Sequence, residues 1–387
     1  MSIQEYDQRT NIKQIQIILK KKLLVLTKLF FSFSYFVLFL SLCSVIIYLR
    51  IFRYAIRVGS CYKSEYEPIQ NLDFYPSLDG KIGYFFKMTT QQAQIIQGSI
   101  VAIVTPMFED GTVDWKGLEK LVEWHIAEGT NSIVAVGTTG EASTLTMAEH
   151  TQVIKEIIRV ANKRIPIIAG TGANSTHEAI ELTKEAKELG ADAALLVTPY
   201  YNKPTQEGLF QHYKAIAEAV DLPQILYNVP GRTGVDMHND TVIRLADIPQ
   251  IVGIKDATGD VARGAELLAG LKGKEMVVYS GDDATAYQLI AHGAQGNISV
   301  TANVAPKQMS EMCALAIAGN TAQAEAKNQE VANLHNILFC ESNPIPVKWA
   351  LHEMGLIGTG IRLPLTPLAE QYRSQLREEL QAASIIQ

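Results

Sequence analysis

The stretch IVGIKDATG, residues 251–259, begins with an apolar run of strand length. This run ends in Lys255 and is followed directly by a loop-forming sequence. A lysine at such a boundary is partly desolvated, and desolvation favours its neutral amine. A neutral amine adds to carbonyl carbons, so Lys255 is a candidate nucleophile for covalent catalysis. Whether this strand belongs to a larger architecture depends on the runs that flank it.

Short apolar runs alternate with helical patterns at intervals of roughly 25 to 35 residues, which is typical of repeated strand-helix units in a parallel sheet. Eight such units within about 210 residues predict an α/β fold, a closed (β/α)8 TIM barrel, rather than an open doubly wound sheet. No GxGxxG sequence follows the first strand, as a dinucleotide-binding sheet would require. The strand candidates are residues 99–105, 132–136, 165–169, 193–197, 224–227, 251–255, 276–279 and 296–300.

Helical patterns lie between the strands and also follow the last one. Between strands, apolar positions three or four residues apart predict helices at 115–128, 148–162, 176–189 and 206–219. After the barrel the pattern is purely helical, with helices predicted at 306–318, 321–338, 346–354 and 367–382. We therefore predict a barrel at residues 89–303 and a C-terminal helical extension at residues 304–387.

Two different kinds of sequence join near Met88. Residues 1–88 carry 12 Lys and Arg against 6 Asp and Glu, a net charge of +6. The formal charge of −6 for the whole chain therefore leaves −12 for residues 89–387. An acidic segment without a basic cluster argues against nucleic acid as a partner. Residues 1–88 are predicted to form a separate N-terminal extension.

The extension contains residues 29–49, LFFSFSYFVLFLSLCSVIIYL, which carry no charge and are long enough to cross a bilayer as one helix. Basic residues flank this run on both sides, so charge does not decide an orientation. Three interpretations stay open: a natural start at Met88, a membrane anchor, or a targeting segment. The four cysteines suggest no disulfide framework, which favours the cytoplasm, with anchoring through residues 29–49 as the alternative.

Polar residues are dense where the predicted strands end. In a TIM barrel the chemistry lies at the carboxyl ends of the strands, so these residues are expected to meet Lys255. From the spacing alone we predict a lysine-centred barrel enzyme. The candidates that share this edge with Lys255 are Thr138 and Thr139 after the second strand, Tyr201 after the fourth, Tyr227 and Arg232 at the fifth, and Gly281 after the seventh.

Three motifs carry a family resemblance: VGTTGE at 136–141, YNVPGRTG at 227–234 and GIKDATG at 253–259. With them, the chain from about residue 98 to about residue 380 resembles the dihydrodipicolinate synthase (4-hydroxy-tetrahydrodipicolinate synthase) family of pyruvate-dependent class I aldolases. The resemblance implies a Schiff-base condensation of pyruvate with L-aspartate 4-semialdehyde, the first committed step of lysine biosynthesis by the diaminopimelate route. It implies a carbon-oxygen lyase that needs no metal or organic cofactor.

The resemblance also implies catalytic roles for individual residues. Lys255 would form the Schiff base with pyruvate. Tyr227 would shuttle protons through hydrogen bonds to Thr138 and, across a subunit interface, to Tyr201. A residue supplied by a neighbouring subunit requires at least a dimer, and the family is usually a homotetramer, a dimer of dimers.

Further residues would hold the substrates. Thr138 and Thr139 would bind the pyruvate carboxylate, and Arg232 would bind the semialdehyde carboxylate with its planar fork of donors. Gly281 and the carbonyl of Ile298 would complete the pocket. Simpler roles are also open, because Thr138 and Thr139 could cap the next helix and Arg232 could pair with a surface carboxylate.

A second site is implied by the family's feedback inhibition by L-lysine, in a cleft at the tight dimer interface. His150 and Glu178 match the polar pair that recognises the amino groups of lysine, whereas Met147 departs from the histidine of some sensitive members. The alternative is that His150 and Glu178 are ordinary exposed helix residues. The matching positions are Ala142, Ser143, Met147, His150, Asn174, Glu178 and Tyr200.

Metal chemistry is not expected. No HxxH, HExxH or CxxC spacing occurs, and carboxylates without an accompanying histidine at ligand spacing are more often loop and cap residues. We therefore expect Asp256, Asp282 and Asp283 to have structural roles, and Glu141 to orient the loop that precedes it.

Three alternative functions follow from the same residues. An N-acetylneuraminate lyase or a keto-deoxy sugar acid aldolase would share Lys255 and Tyr227, and Arg232 argues against them. A membrane-tethered binding module without catalysis is opposed by the intact chemical positions. A phosphate-binding barrel is opposed by Asp282 and Asp283, whose negative charge would repel a phosphate.

Overall fold

The computed structural model describes residues 96–387 of the chain. Within them, eight parallel strands close into a barrel in chain order, and β1 pairs with both β2 and β8. The prediction of a TIM barrel with a C-terminal helical extension is confirmed. The strands are β1 Gly98–Ala102, β2 Ser132–Ala135, β3 Ile167–Gly170, β4 Ala193–Val197, β5 Gln224–Asn228, β6 Ile251–Asp256, β7 Val277–Ser280 and β8 Gly296–Ser299.

Helices connect the strands and continue after β8. Those between strands are α1 Trp115–Ala127, α2 Met147–Ala161, α3 Thr176–Leu189, α4 Gln206–Ala219, α5 Pro230–Thr233, α6 Asn239–Leu245, α7 Val261–Gly270 and α8 Ala286–Ala291. A 3-10 turn at Thr301–Asn303 follows β8. The C-terminal extension comprises α9 Pro306–Ile317, α10 Thr321–Gln329, α11 Ala332–Ile337, α12 Ile345–Glu353 and α13 Glu370–Ala382.

Local capping explains where several helices begin and end. The Thr146 side chain accepts from the backbone N–H of Glu149 and the Glu149 carboxylate accepts from that of Thr146, so α2 starts in a capping box. Gly190 ends α3 with φ 88°, a left-handed conformation that glycine adopts without a steric cost. The helices predicted at 176–189 and 206–219 are found with those bounds.

One continuous helix was predicted at 321–338, but the structure has two helices there, α10 and α11. The prediction of a single helix was wrong. The break lies next to Val331, which is buried. Beyond it, the imidazole of His335 lies between two partners, with Nδ1 2.9 Å from Thr301 Oγ1 and Nε2 3.1 Å from Asn328 Oδ1. These contacts give both ring nitrogens of the buried His335 imidazole a partner, and a buried polar group without a partner is costly.

The predicted N-terminal extension, residues 1–88, and the predicted span at residues 29–49 lie outside the described residues. Among the helices of residues 96–387, none has both the length and the apolar character needed to cross a bilayer.

Successive side chains of each strand point to opposite faces of the sheet, and this alternation separates two apolar cores. Side chains such as Ile254 point outward and pack in the layer between the strands and the helices. Ile225 and Tyr227 lie in the smaller cluster that fills the barrel interior. Because successive side chains of a strand point to opposite faces, Lys255 lies on the interior side of β6, next to outward-facing Ile254. The sequence pattern of β6 therefore directs the candidate nucleophile into the barrel.

The closure of the barrel depends on a glycine at the start of β8. A Cβ atom on Gly296 would lie 2.1 Å from the carbonyl oxygen of Gly98 in β1. We expect Gly296→Ala to lower the free energy of unfolding by about 3 kcal/mol or more, because backbone atoms cannot move aside as a flexible side chain can. Chemical denaturation measures this change. Gly231→Ala is the matched control, because no atom lies within 4 Å of its added Cβ; equal stability of both variants would contradict the expectation.

Candidate active site

Lys255 lies near the carboxyl end of β6 and is 5% exposed. Its Nζ is 4.3 Å from the centroid of the Tyr227 ring, and the two residues are register partners across β5 and β6. The predicted nucleophile and the predicted proton carrier are therefore in contact inside the barrel.

Gly281 makes room for the Lys255 side chain. A Cβ at position 281 would lie 2.8 Å from Cε of Lys255 and 2.7 Å from Cβ of Ala257. Any larger residue would displace the lysine. The backbone N–H of Gly281 donates to the carbonyl of Asp256 at 2.7 Å, which fixes this approach. Ile298, on β8, lies in the interior cluster and is fully buried.

The loop after β2, residues 136–141, turns tightly. Val136 and Glu141 have φ of 54° and 59°, a left-handed region that is unfavourable for residues with a Cβ. Such strain persists only where surrounding structure holds it. The turn presents Thr138, half-buried, and Thr139, 2% exposed. Because α2 is capped by Thr146, neither threonine caps that helix.

A buried ion pair holds the end of this loop. The Glu141 carboxylate pairs with Nζ of Lys348 on α12, and both residues are almost completely buried. Burial lowers the pKa of Lys348, while the neighbouring Glu141 carboxylate opposes that shift. The backbone N–H of Arg362 also donates to Glu141 Oε2 at 3.2 Å. Glu141 is thus placed to orient the loop, and its partners come from the C-terminal helical region.

Arg362 forms a second connection between the C-terminal helical region and the segment that follows β2. Its guanidinium donates to both carboxylate oxygens of Glu149, at 2.6 and 2.7 Å, and to the carbonyl of Thr144 at 3.0 Å. The hydrogen bonds from Arg362 lower the pKa of Glu149 to about 2. Together with the Glu141 pair, this contact ties residues 141–149 to the end of the chain.

Arg232 lies on α5 and is exposed. Its Nη2 donates to the backbone carbonyl of Asn343 at 3.3 Å, and Nδ2 of Asn343 donates to Oγ1 of Thr139 at 3.0 Å. No salt bridge joins Arg232 to a carboxylate within residues 96–387, so pairing with a surface carboxylate is not observed in the described chain. Arg232 and Thr139 are instead joined through Asn343.

Tyr201 stands apart from the other candidates. It is 89% exposed and has φ of 74°. Within residues 96–387, no hydrogen bond joins the hydroxyl of Tyr227 to Thr138 or to Tyr201. The single chain therefore brings together Lys255, Tyr227 and Gly281, and leaves Tyr201 on the surface.

The positions matched to a lysine site lie around α2, α3 and the loop after β4. His150 is 6% exposed, so the alternative of an exposed helix residue does not hold for it, whereas Glu178 is exposed. Burial and the Glu178 carboxylate raise the pKa of Tyr200. Ala142 is half-buried and Ser143 exposed, and the Asn174 carbonyl accepts from Nδ2 of Asn202 at 2.8 Å.

The three aspartates considered as metal ligands make protein contacts. Asp256 accepts from the backbone N–H of Thr258, and Asp282 accepts from the hydroxyl and N–H of Thr285. Asp283 accepts from Asn297 and from the backbone of the 3-10 turn. No group of three His, Cys, Asp or Glu side chains suited to a metal ion occurs in residues 96–387.

Three residues of the site region were missed in the sequence: Asn343, Lys348 and Arg362. Lys348 had a usable signal, because it is the single charge within the apolar run IPVKWAL at 345–351. Asn343 is followed by Pro344, which indicates a turn but not its contact with Thr139. Arg362 had no distinguishing pattern.

Comparison with known proteins agrees with the resemblance that the three sequence motifs carry. Residues 95–383 match the Dihydrodipicolinate synthetase family. A 4-hydroxy-tetrahydrodipicolinate synthase of Stutzerimonas stutzeri (strain A1501) is 61% identical over 292 residues, which are 76% of this chain and 100% of that relative.

Two solved structures extend the comparison. A chloride-inhibited dihydrodipicolinate synthase from Acinetobacter baumannii, complexed with pyruvate, is 79% identical with a TM-score of 0.75, over 76% of this chain and 100% of its own. A dihydrodipicolinate synthase from Cyanidioschyzon merolae with lysine bound is 38% identical with a TM-score of 0.72, over 75% of this chain and 99% of its own.

The buried ion pair is open to a direct test. We expect Lys348→Met to lower the free energy of unfolding by about 3–5 kcal/mol, because it leaves the Glu141 carboxylate buried without a counter-charge. Chemical denaturation measures the change. The double variant Glu141→Gln/Lys348→Met should recover part of the loss, since no uncompensated charge remains.

Lys327→Met is the matched control, because its partners Glu311 and Glu330 lie at the surface and such pairs contribute little. A Lys348→Met variant as stable as the control would show that the buried pair does not hold the loop.

Proposed function

Because the chain belongs to the dihydrodipicolinate synthetase family, we propose that it condenses pyruvate with L-aspartate 4-semialdehyde to give 4-hydroxy-tetrahydrodipicolinate. This is the first committed step of lysine biosynthesis by the diaminopimelate route. The observation that carries the proposal is the buried Lys255, with its Nζ 4.3 Å from the Tyr227 ring centroid at the catalytic end of the barrel. The aldolase alternatives lack comparable support, since curated relatives matched over their full length are named for the synthase.

The first half-reaction centres on Lys255. Its neutral amine adds to the keto carbon of pyruvate, and loss of water leaves an iminium ion. The positive charge then lies beside the Tyr227 ring, whose face favours a cation. Loss of a methyl proton gives the enamine, and the Tyr227 hydroxyl would carry protons at these steps.

The second half-reaction forms the ring and frees the enzyme. The enamine carbon attacks the aldehyde carbon of the semialdehyde, which re-forms the iminium ion at Lys255. The amino group of the semialdehyde then attacks the former keto carbon, and the Lys255 amine leaves. No metal or organic cofactor takes part in this scheme.

The carboxylates of the two substrates need separate binding partners on the protein. Thr138 and Thr139, presented by the strained loop, would bind the pyruvate carboxylate through hydroxyl and backbone donors. Arg232 would bind the semialdehyde carboxylate, with its guanidinium held by the Asn343 carbonyl. Gly281 and the Ile298 carbonyl would border the pocket.

Assembly and location are part of the same proposal. Tyr201 is exposed in one chain, which supports a role in which it reaches the Tyr227 of a second copy. A residue supplied across an interface requires at least a dimer, and the family resemblance favours a homotetramer built as a dimer of dimers. Cys313 and Cys340 are free thiols, which supports a reducing compartment such as the cytoplasm.

The mechanism predicts a covalent adduct. Incubating the full chain with pyruvate and borohydride should reduce the iminium ion and attach a lactyl-type group to Lys255, detected by intact mass and located by peptide digestion. Lys255→Arg should show no adduct, whereas Lys307→Arg, which changes an exposed lysine, should react as the wild type does. Wild-type protein without an adduct on Lys255 would overturn the proposed function.

We also propose that L-lysine inhibits the enzyme by binding at a site formed by His150, Glu178 and Tyr200. Burial lowers the pKa of His150, which disfavours the charged imidazolium, and a neutral imidazole can accept a hydrogen bond from an ammonium group. The Glu178 carboxylate supplies the negative charge, and it is close enough to Tyr200 to raise the pKa of that phenol.

Glu178→Gln should weaken lysine inhibition about 10-fold or more, because a charged hydrogen bond to an ammonium group is lost. Turnover and both Michaelis constants should change little. Glu181→Gln, an exposed carboxylate on the same helix that pairs with Lys184, is the control. Unchanged inhibition in Glu178→Gln would place the lysine site elsewhere, and a wild type insensitive to lysine would remove it.

A further inference from the structure

We propose that Asn343 is a positioning residue for pyruvate, and that its side-chain amide directs the hydroxyl hydrogen of Thr139 toward the pyruvate carboxylate. The inference rests on the proposed function, because it assumes that Thr139 binds this carboxylate. It adds a role for a residue of the C-terminal helical region, outside the barrel that carries the other site residues.

The geometry at Thr139 sets the direction of the hydrogen bond. Nδ2 of Asn343 donates to Oγ1 of Thr139 at 3.0 Å, and both residues are at least 95% buried. An amide nitrogen can only donate, so the threonine oxygen acts as the acceptor in this contact. The hydroxyl hydrogen of Thr139 must then point away from Asn343.

That hydrogen has no other acceptor within the described chain, since Oγ1 of Thr139 makes its one hydrogen bond within residues 96–387 to Asn343. A carboxylate accepts hydrogen bonds and never donates them. A hydroxyl already oriented as a donor therefore meets a carboxylate without first having to lose another partner. Asn343 would lower the cost of ordering Thr139 when pyruvate binds.

Asn343 also contacts the residue proposed for the second substrate, but through a different atom. Its backbone carbonyl accepts from Nη2 of Arg232 at 3.3 Å, whereas its side chain contacts Thr139. A change in the side chain leaves this carbonyl in place. Substitutions at position 343 should therefore affect pyruvate more than the semialdehyde, which separates positioning of Thr139 from a general loss of structure.

Two variants of opposite chemistry test the role. Asn343→Asp keeps the shape, but its carboxylate would take the Thr139 hydrogen for itself. Asn343→Leu removes the donor without adding charge. Each should raise the pyruvate concentration for half-maximal borohydride trapping at Lys255 by about 5-fold or more, because a hydrogen bond to a charged group is weakened. The Michaelis constant for the semialdehyde should stay within about 2-fold.

A double-mutant cycle shows whether Asn343 acts through Thr139. Thr139→Val removes the hydroxyl at nearly constant shape. In that background, substitutions at position 343 should cause little further loss of pyruvate binding, because the group that they misdirect is already absent. Thr139→Ser should retain the dependence on Asn343, since it keeps a hydroxyl.

Asn328→Asp is the matched control, because Asn328 is a buried amide that contacts His335 and lies outside the site. It should change the thermal midpoint without changing pyruvate trapping. If the variants at position 343 fold poorly, Asn343→Ala, which introduces no charge or extra bulk, is measured in the same cycle.

The proposal is overturned if pyruvate trapping is unchanged in the variants, or if both substrates are affected equally. It is also overturned if the loss persists in the Thr139→Val background, which would indicate charge repulsion or distortion. Wild-type protein that forms no adduct at Lys255 is a separate result, because that outcome removes the proposed function itself.

Discussion

The parallel pairing of β1 with β8 closes the sheet, and the arrangement of the site depends on that closure. In a closed barrel the carboxyl ends of all eight strands meet around one axis. Residues of strands that do not pair with each other, such as Ile100 on β1 and Tyr227 on β5, then share one interior cluster. The close approach of Gly296 to Gly98 is part of this constraint, because a side chain there would separate the first strand from the last.

The barrel carries the proposed nucleophile, Lys255, and the C-terminal helical region contacts other residues of the proposed site. Lys348 neutralises the buried Glu141, and Asn343 contacts both Thr139 and Arg232. The extension is therefore part of the site rather than a cover over one face of the barrel. A strained loop needs such support, since a backbone in a sparsely populated conformation relaxes when nothing opposes it.

The sequence was sufficient to predict the features that depend on local periodicity. Eight apolar runs located the eight strands to within a few residues, and the ends of those runs indicated Lys255, Tyr227 and Gly281. Contacts over long sequence separations were not predictable: Asn343 and Thr139 are 204 residues apart, and no pattern links them. The break between α10 and α11 was also missed, and the contact of His335, on α11, with Thr301 likewise joins residues far apart in the chain. Tyr201 is 89% exposed on the single chain, so its contact with a second copy stays a prediction.

The pair formed by Glu141 and Lys348 has a consequence for the order in which the molecule is completed during synthesis. The ribosome releases the chain from its N-terminus, so all the barrel strands emerge before residue 348. At that stage the Glu141 carboxylate has no cation to oppose its burial, and Thr139 has no amide beside it. The loop at residues 136–141 thus gains these partners only after every strand has emerged, and a nascent chain that already contains the whole sheet still lacks the contacts that hold this loop.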